Sequence, residues 1–458
     1  MTVIALELND AGVLAADASG VLSPASPGVA LIEGRSIEVG REAASGARLK
    51  PRRIHDRFWN DLDTKALKRP FPTHLSTADL VHRHLQQIWS EVGGDAHSVL
   101  LAVPGTFDER QLSLILGIAR SCQIPVNGLV DAAVAASLGP ANGPPDVLHL
   151  DLQLHAVVAT LLERRRRLSR VRVRVDDRFG LADLHTRWAS HIAADFVRTT
   201  RFDPLHLADS EQSLYDHLPA WLRELQKSNT VTVSIEAGGR RYAIDLSRAG
   251  MVGAVQRQYD NLVETIRAVR PESAPPTLVV TDRLATLPGL EDHLSRAHET
   301  TVAVLQPAAA ATGAVRAANQ ISATTESLPF ITVLATGADA SHHPRTPAGT
   351  HTPAAGGRPP THLVHDSIAY PISEVPFAIG VSIPEDGRGL QIPPTTAGVS
   401  GIHCTVFRRG DSVILADHST SGTSVNGRRV AGSTELAVGD TVSFGSPDVE
   451  LLMVSMVD

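Results

Sequence analysis

Residues 399–445 read VSGIHCTVFRRGDSVILADHSTSGTSVNGRRVAGSTELAVGDTVSFG. Short apolar runs alternate here with glycine-bearing turns, the pattern of strands joined by tight reversals in a small antiparallel sandwich. Val413, Leu415 and Val425 take apolar strand positions. Gly410, Gly422, Gly427 and Gly439 fall where the chain must reverse with backbone angles that other residues resist. The polar positions keep a spacing of their own. Ser400 stands three residues before His403, and Asp417, Ser419, Gly422, Thr423 and Asn426 follow, closed by Gly439-Asp440 and Phe444-Gly445.

This set of positions resembles a forkhead-associated (FHA) domain covering about residues 362–458. The resemblance implies an all-β sandwich that binds phosphothreonine peptides through loops at one end and carries no catalysis. Carried over, Ser400 would donate its hydroxyl to the phosphate, with Thr420 and Ser421 in the second binding loop. Gly380, His403, Gly422, Asn426 and Gly427 take scaffold positions, and the His403 and Asn426 side chains are expected to tie loops to backbone. The family usually places an arginine directly after the glycine of the first turn, but here Ile379-Gly380 is followed by Val381. Arg388, in the loop PEDGRG, is the candidate substitute cation, with a solvated loop charge as the plainer alternative. Gly401 and Ser421 also depart from the long polar residue and the asparagine common at their positions.

A chain of 458 residues holds about three ordinary domains, or one large bilobal unit and a small one. With 43% hydrophobic and 20% charged residues the composition is that of an ordinary folded protein, and a net charge of −7 argues against a general nucleic-acid binder. No apolar run approaches the roughly 20 residues of a bilayer span, and MTVIALELND lacks a basic leader, so a cytoplasmic location is expected. Two cysteines, Cys122 and Cys404, exclude a disulfide framework and a cysteine metal site. His82/His84 and His342/His343 have no acidic or cysteine partner at ligand spacing, so no metal is expected.

Upstream, TVIALEL alternates as a strand and turns at Asn9–Gly12 into VLAAD. Leu80, Val81, Leu85, Ile88 and Trp89 recur at helical spacing behind a Ser76 cap. The strand Val99–Val103 then ends at Pro104-Gly105, followed by the helix ILGIARSC, the helix AAVAAS and the strand VLHLD. This order, continued by TLVVTDRLATLPGLEDHL and AAAATGAVRAAN, resembles the ATPase domain of the DnaK-type heat-shock chaperones in the actin-like superfamily, over residues 1–320. The resemblance implies an α/β, ribonuclease-H-like fold of two lobes with nucleotide between them.

The nucleotide loops have lost their glycines, which let backbone N–H groups approach a phosphate without side-chain clash. The first reads Glu7-Leu8-Asn9-Asp10-Ala11, the second Asp151-Leu152-Gln153-Leu154-His155, and the adenosine loop Thr281-Asp282-Arg283-Leu284-Ala285. Glu7, Asp131, Asp151 and Asp282 are therefore vestigial, and Asp131 and Asp151 are read as turn or strand-end caps before metal organisers. ERRRRLSRVRVRV places Arg164–Arg167 in a turn, and alternates Arg170, Arg172 and Arg174 with valines as a basic solvated face over an apolar one. A binding face for an acidic protein or nucleic acid is the minor alternative there. Residues 321–361 read as a Pro, Gly and Thr linker, whose Thr346 and Thr352, each before proline, offer an intramolecular phosphothreonine ligand if modified.

The expectation is a non-catalytic adaptor: a pseudo-ATPase platform at 1–320 joined by a linker to an FHA domain at 362–458 that binds a protein partner, without cofactor. Two readings stay open beside it. One is an active ATP- and magnesium-binding chaperone that recruits clients through its FHA domain. The other is a phosphate-independent interaction or oligomerisation module, because Val381 replaces the cation.

Overall fold

The computed structural model describes residues 3–94, 96–139, 145–165, 167–269, 276–298, 302–322, 328–336, 359–365, 368–383, 388–393, 396–410, 412–426, 428–445 and 449–454. Thr346, Thr352 and Gly427 lie outside this set. The chain divides into two compact units, Met1–Arg345 and Thr346–Asp458.

Alternating and fully apolar strand segments build two sheets in the N-terminal unit. In the first, Val3–Glu7 pairs antiparallel with Leu14–Asp17, which pairs with Gly20–Val21. On its other side Val3–Glu7 runs parallel to Ser98–Val103, and that strand parallel to Val126–Asp131. In the second, Asp146–Leu152 pairs antiparallel with Val157–Arg164, which pairs with Arg167–Asp176. Its other neighbour is Thr277–Val280, parallel, followed by Val302–Val304. Numbering the first five strands of each of these six-stranded sheets by sequence gives the same spatial order, 5-4-1-2-3, twice. The central parallel strand Ser98–Val103 is buried throughout, as a strand covered on both faces must be.

The helices show why the chain folds locally. Thr77–Val92 starts at Ser76, whose hydroxyl and the Asp79 carboxylate form a reciprocal capping box, and it buries Leu80, Val81, Leu85 and Ile88. Glu109–Ser121 starts in the same way at Asp108 with Gln111. Two insertions stand out from the common plan. The first half carries a three-stranded sheet, Ala30–Glu33, Ser36–Val39 and Ile54–His55, and the second a hairpin, Thr230–Ala237 with Arg240–Ser247. Gly238 and Gly239 turn that hairpin with φ of +57° and +71°.

Two readings of this region need correction. Residues 330–335, assigned above to the linker, are strands: Phe330–Ile331 pairs with Leu129 and Val130, and Val333–Ala335 with Arg167–Ser169. The segment thus adds one strand to each sheet, which its interrupted pattern of apolar residues did not reveal. The basic strand also lacks the expected apolar face, because Val171 and Val175 are 55% and 47% exposed while Arg164 is buried and donates to Ser137 O. Arg170 turns inward to Asp131, 2.8 Å away.

The C-terminal unit is a sandwich of two sheets. One is ordered Ile368–Pro371, His362–His365, Val449–Val454, Thr441–Phe444, Ser424–Val425, Arg428–Arg429. The other is ordered Gly389–Gln391, Phe377–Gly380, Cys404–Arg409, Ser412–Asp417, Ser433–Leu436. Alternate residues of the strands point inward, so Ile379, Cys404, Val406, Val413, Leu415, Val442, Phe444 and Leu451 form one core. Burying each large aliphatic side chain contributes about 1.5–3 kcal/mol.

Candidate functional site

At one end of the sandwich three of the expected residues meet. Ser400 Oγ accepts from Thr420 N at 3.2 Å and lies 3.4 Å from Thr420 Oγ1. Ser421 Oγ donates to Gly398 O, which joins the two loops again. Ser400 is half-buried, and Thr420 and Ser421 are exposed. The loops are held from beneath. His403, fully buried, accepts from Ser400 N through Nδ1 and stacks on Phe444 with ring centroids 4.3 Å apart. Burial pushes the His403 pKa down, so the neutral ring serves as this acceptor. Asp417 accepts from Ser419 N and from Thr423 Oγ1; burial raises its pKa, but these hydrogen bonds outweigh it and hold the carboxyl below its usual range. Asn426, at φ +51°, accepts from Thr441 N and donates to Asp440.

Gly380 explains how the first turn reaches these loops. Val381 N donates to Ser400 O and His403 N donates to Ile379 O, so the turn lies directly against residues 400–403. A Cβ on Gly380 would stand 2.1 Å from Gly401 O, a distance no side chain tolerates. A valine therefore occupies the place beside Ser400 where a cation was looked for.

Arg388 does not fill the gap. Its guanidinium donates to Ser373 Oγ at 2.7 Å and to Pro371 O at 2.9 Å, away from Ser400. A residue that sequence reasoning did not single out, Arg429, lies against this loop end. It is exposed, its Nη2 donates to Ser421 O at 2.8 Å, and its guanidinium packs on Gly422, where an added Cβ would meet it at 2.4–2.5 Å. Its neighbour Gly427 was noted above, but nothing in the run VNGRRV tells which arginine faces the loop.

The second site is the cleft between the halves of the N-terminal unit, where all four vestigial acids are placed. Arg283 spans it: Nη1 lies 2.8 Å from Glu7 Oε1 and 3.6 Å from Asp151 Oδ1, and Nη2 donates to Gly12 O at 2.9 Å. Glu7 Oε2 accepts from Ala310 N and Ala311 N, which completes its partners. Asn9 reaches from the first turn to Asp151 Oδ2, 2.7 Å, and to Leu152 O. Asp10 Oδ1 accepts from Leu154 N of the opposite turn, and burial raises its pKa to about 6. Asp131 caps the helix Ala132–Ala136, as read from sequence, and pairs with Arg170. Asp151 is no strand-end cap: it belongs to the Arg283 and Asn9 network. Burial raises its pKa and Arg283 opposes that rise. Asp282 opens the short helix Asp282–Ala285, which presents Arg283.

Beyond this bridge a cavity of about 810 Å³ separates the halves, lined by Leu14, Val29, Ile54, Leu154, Leu181 and Tyr215 among others. Further out, Arg48 lies over the Tyr215 ring at 3.6 Å, while Gln212 accepts from Arg48 N and donates to Ala44 O. His155 adds a third bridge, with Nε2 3.5 Å from Asp56 Oδ1.

Of the two histidine pairs, His82 and His84 make other contacts. His84 is buried between Ser26 and Trp59, with its pKa pushed down to about 3 by burial, and His82 lies beside Ser121. Among the described residues no cluster of three or more His, Cys, Asp or Glu is placed to hold a metal. His342 and His343 lie outside them.

Residues 386–445 match the family model of the FHA domain. This domain makes the C-terminal unit a protein-interaction module of the phosphopeptide-binding class. No curated protein matches the chain. Among the described residues no helix is long and apolar enough to cross a membrane.

Proposed function

We propose that this chain is a non-catalytic cytoplasmic adaptor that binds a phosphothreonine-containing protein through Ser400, Thr420 and Ser421, with its N-terminal unit as docking platform. The observation that carries this reading is the meeting of Ser400 with Thr420 on an exposed loop end braced by His403. Titration of phosphothreonine peptides into the full chain tests it. Ser400→Ala is expected to weaken binding about tenfold or more, since a hydrogen bond to a charged group contributes about 1.5–3 kcal/mol; unchanged affinity would remove Ser400 from the site.

We further read the N-terminal unit as a DnaK-like, actin-like domain that no longer turns over ATP. The duplicated 5-4-1-2-3 strand order supports the fold assignment. Arg283, Asn9 and Asp10 support loss of activity, because their contacts occupy the space between the turns that would cradle phosphate. The cavity of about 810 Å³ favours a second reading, retained nucleotide binding. Calorimetric titration of ATP with magnesium into the full chain separates the two. No heat is the expected result, and saturable binding would restore the chaperone-like alternative.

A further inference from the structure

Resting on the phosphothreonine reading, we propose that Arg429 supplies the cation of the phosphate site, replacing both the arginine absent at Val381 and the candidate Arg388. A phosphate dianion held by hydroxyls alone gives up hydration for weak donors, and a guanidinium or ammonium adds a stronger, charge-assisted contact. Three observations place that group at Arg429. The position beside Ser400 on the first turn is a valine. Arg388 has both terminal nitrogens bonded to Ser373 and Pro371. Arg429 lies on the binding loop itself, bonded to Ser421 O and packed on Gly422.

The packing on Gly422 gives the guanidinium a fixed starting point. Gly422 has φ +94° and no side chain, so the arginine lies flat on the loop backbone next to Ser421 and Thr420. Thr420 is the residue that bonds Ser400. Only one of the five N–H donors is engaged, and among the described residues Arg429 makes no ion pair. Four donors and a full charge are therefore left for a ligand at an exposed residue bonded to Ser421. A phosphate on Ser400 and Thr420 completes a bidentate contact with them.

The test uses the full chain, a pooled phosphothreonine peptide library with its unphosphorylated counterpart, and the best binder selected from it. Arg429→Ala is expected to weaken the phosphopeptide at least tenfold and to flatten the salt dependence of binding, while Arg388→Ala changes it less than twofold. Because Arg429 also braces Gly422, a second variant separates charge from packing. Adding Val381→Arg to Arg429→Ala puts a cation back beside Ser400 and is expected to restore affinity to within about threefold. Three results overturn the proposal. If Ser400→Ala abolishes binding and Arg429→Ala does not weaken it, the phosphothreonine reading stands and Arg429 is not its cation. If Arg429→Ala weakens binding, Val381→Arg fails to restore it and the salt dependence is unchanged, Arg429 is a loop brace. If the unaltered chain binds both peptide pools equally, the phosphothreonine reading itself fails.

Discussion

The interlobal cleft and the loop end of the sandwich use the same chemical groups to opposite ends. In the cleft, Arg283 meets two carboxylates and a carbonyl, Glu7 also takes two backbone N–H groups, and Asn9 satisfies Asp151. Charges buried in this way are spent on one another. At the loop end, Ser400 and Thr420 share contacts of 3.2 and 3.4 Å, and Arg429 uses a single donor. Donors that the fold leaves unmatched at a surface are open to a ligand, and this difference is what sets the proposed binding loops apart from the cleft.

Acidification should break the comparison most strongly, because it acts on the N-terminal unit through buried groups. Burial lowers His84 to about 3 and His149 and His185 to about 4, from the ordinary 6.5. Their contribution to stability is full above pH 6.5 and is lost as pH falls toward the folded values, at about 1.4 kcal/mol per unit for each ring. Asp10, raised to about 6, runs the other way: its cost is full above that value and is relieved below it. Asp151 and Asp282, also raised by burial, run with Asp10, while Asp56 and Asp176, held low by their partners, run with the histidines, and the three rings set the expected net loss. All four tryptophans, Trp59, Trp89, Trp188 and Trp221, lie in this unit, so urea unfolding followed by their fluorescence at pH 7 and pH 5 reads it alone. An equal midpoint at both values would show that these rings are not buried neutral.

Arg283→Ala comes next. It strands Glu7 and Asp151 and is expected to cost about 3–5 kcal/mol in the same assay, whereas a merely superficial bridge would cost under about 1. In the sandwich, Gly380→Ala drives a methyl into Gly401 O and should cost about 2–4 kcal/mol. Faster hydrogen exchange in Phe377–Gly380 and Cys404–Arg409 would report it, and unchanged exchange would mean that the turn can move off the loop. The smallest effect sharpens the contrast instead. Asp10→Asn removes a buried charge while keeping an acceptor for Leu154 N, and should stabilise the unit by about 1–2 kcal/mol at pH 7 and not at pH 4. A loss at pH 7 would mean that the carboxylate is better paired than its burial implies.

The loop end was largely legible before any coordinates. Turn glycines and spaced polar residues are local signals, and the sandwich core follows from alternation in runs such as CTVFRR and SVILAD, so Ser400, Thr420, His403 and Asn426 could be placed by number. The cleft was legible only as a loss. The glycine-poor turns were readable, yet no spacing links Glu7 to Arg283, 276 residues on, or Asn9 to Asp151. The strands at 330–335 were hidden because each is two or three residues long, too short for a period to show.

The sequence by itself determined where the longer strands and the Ser76-capped helix form, that the C-terminal unit carries an FHA domain, and that its first turn lacks a cation. Backbone conformation and burial pattern are written within a few neighbouring residues, and those can be read in order. Only the tertiary structure decided that Arg283 fills the cleft, that Arg388 is held on Ser373 and that Arg429 lies on the binding loop. A long charged side chain can reach several partners from one backbone position. Which of them it takes is set by the elements that folding brings beside it.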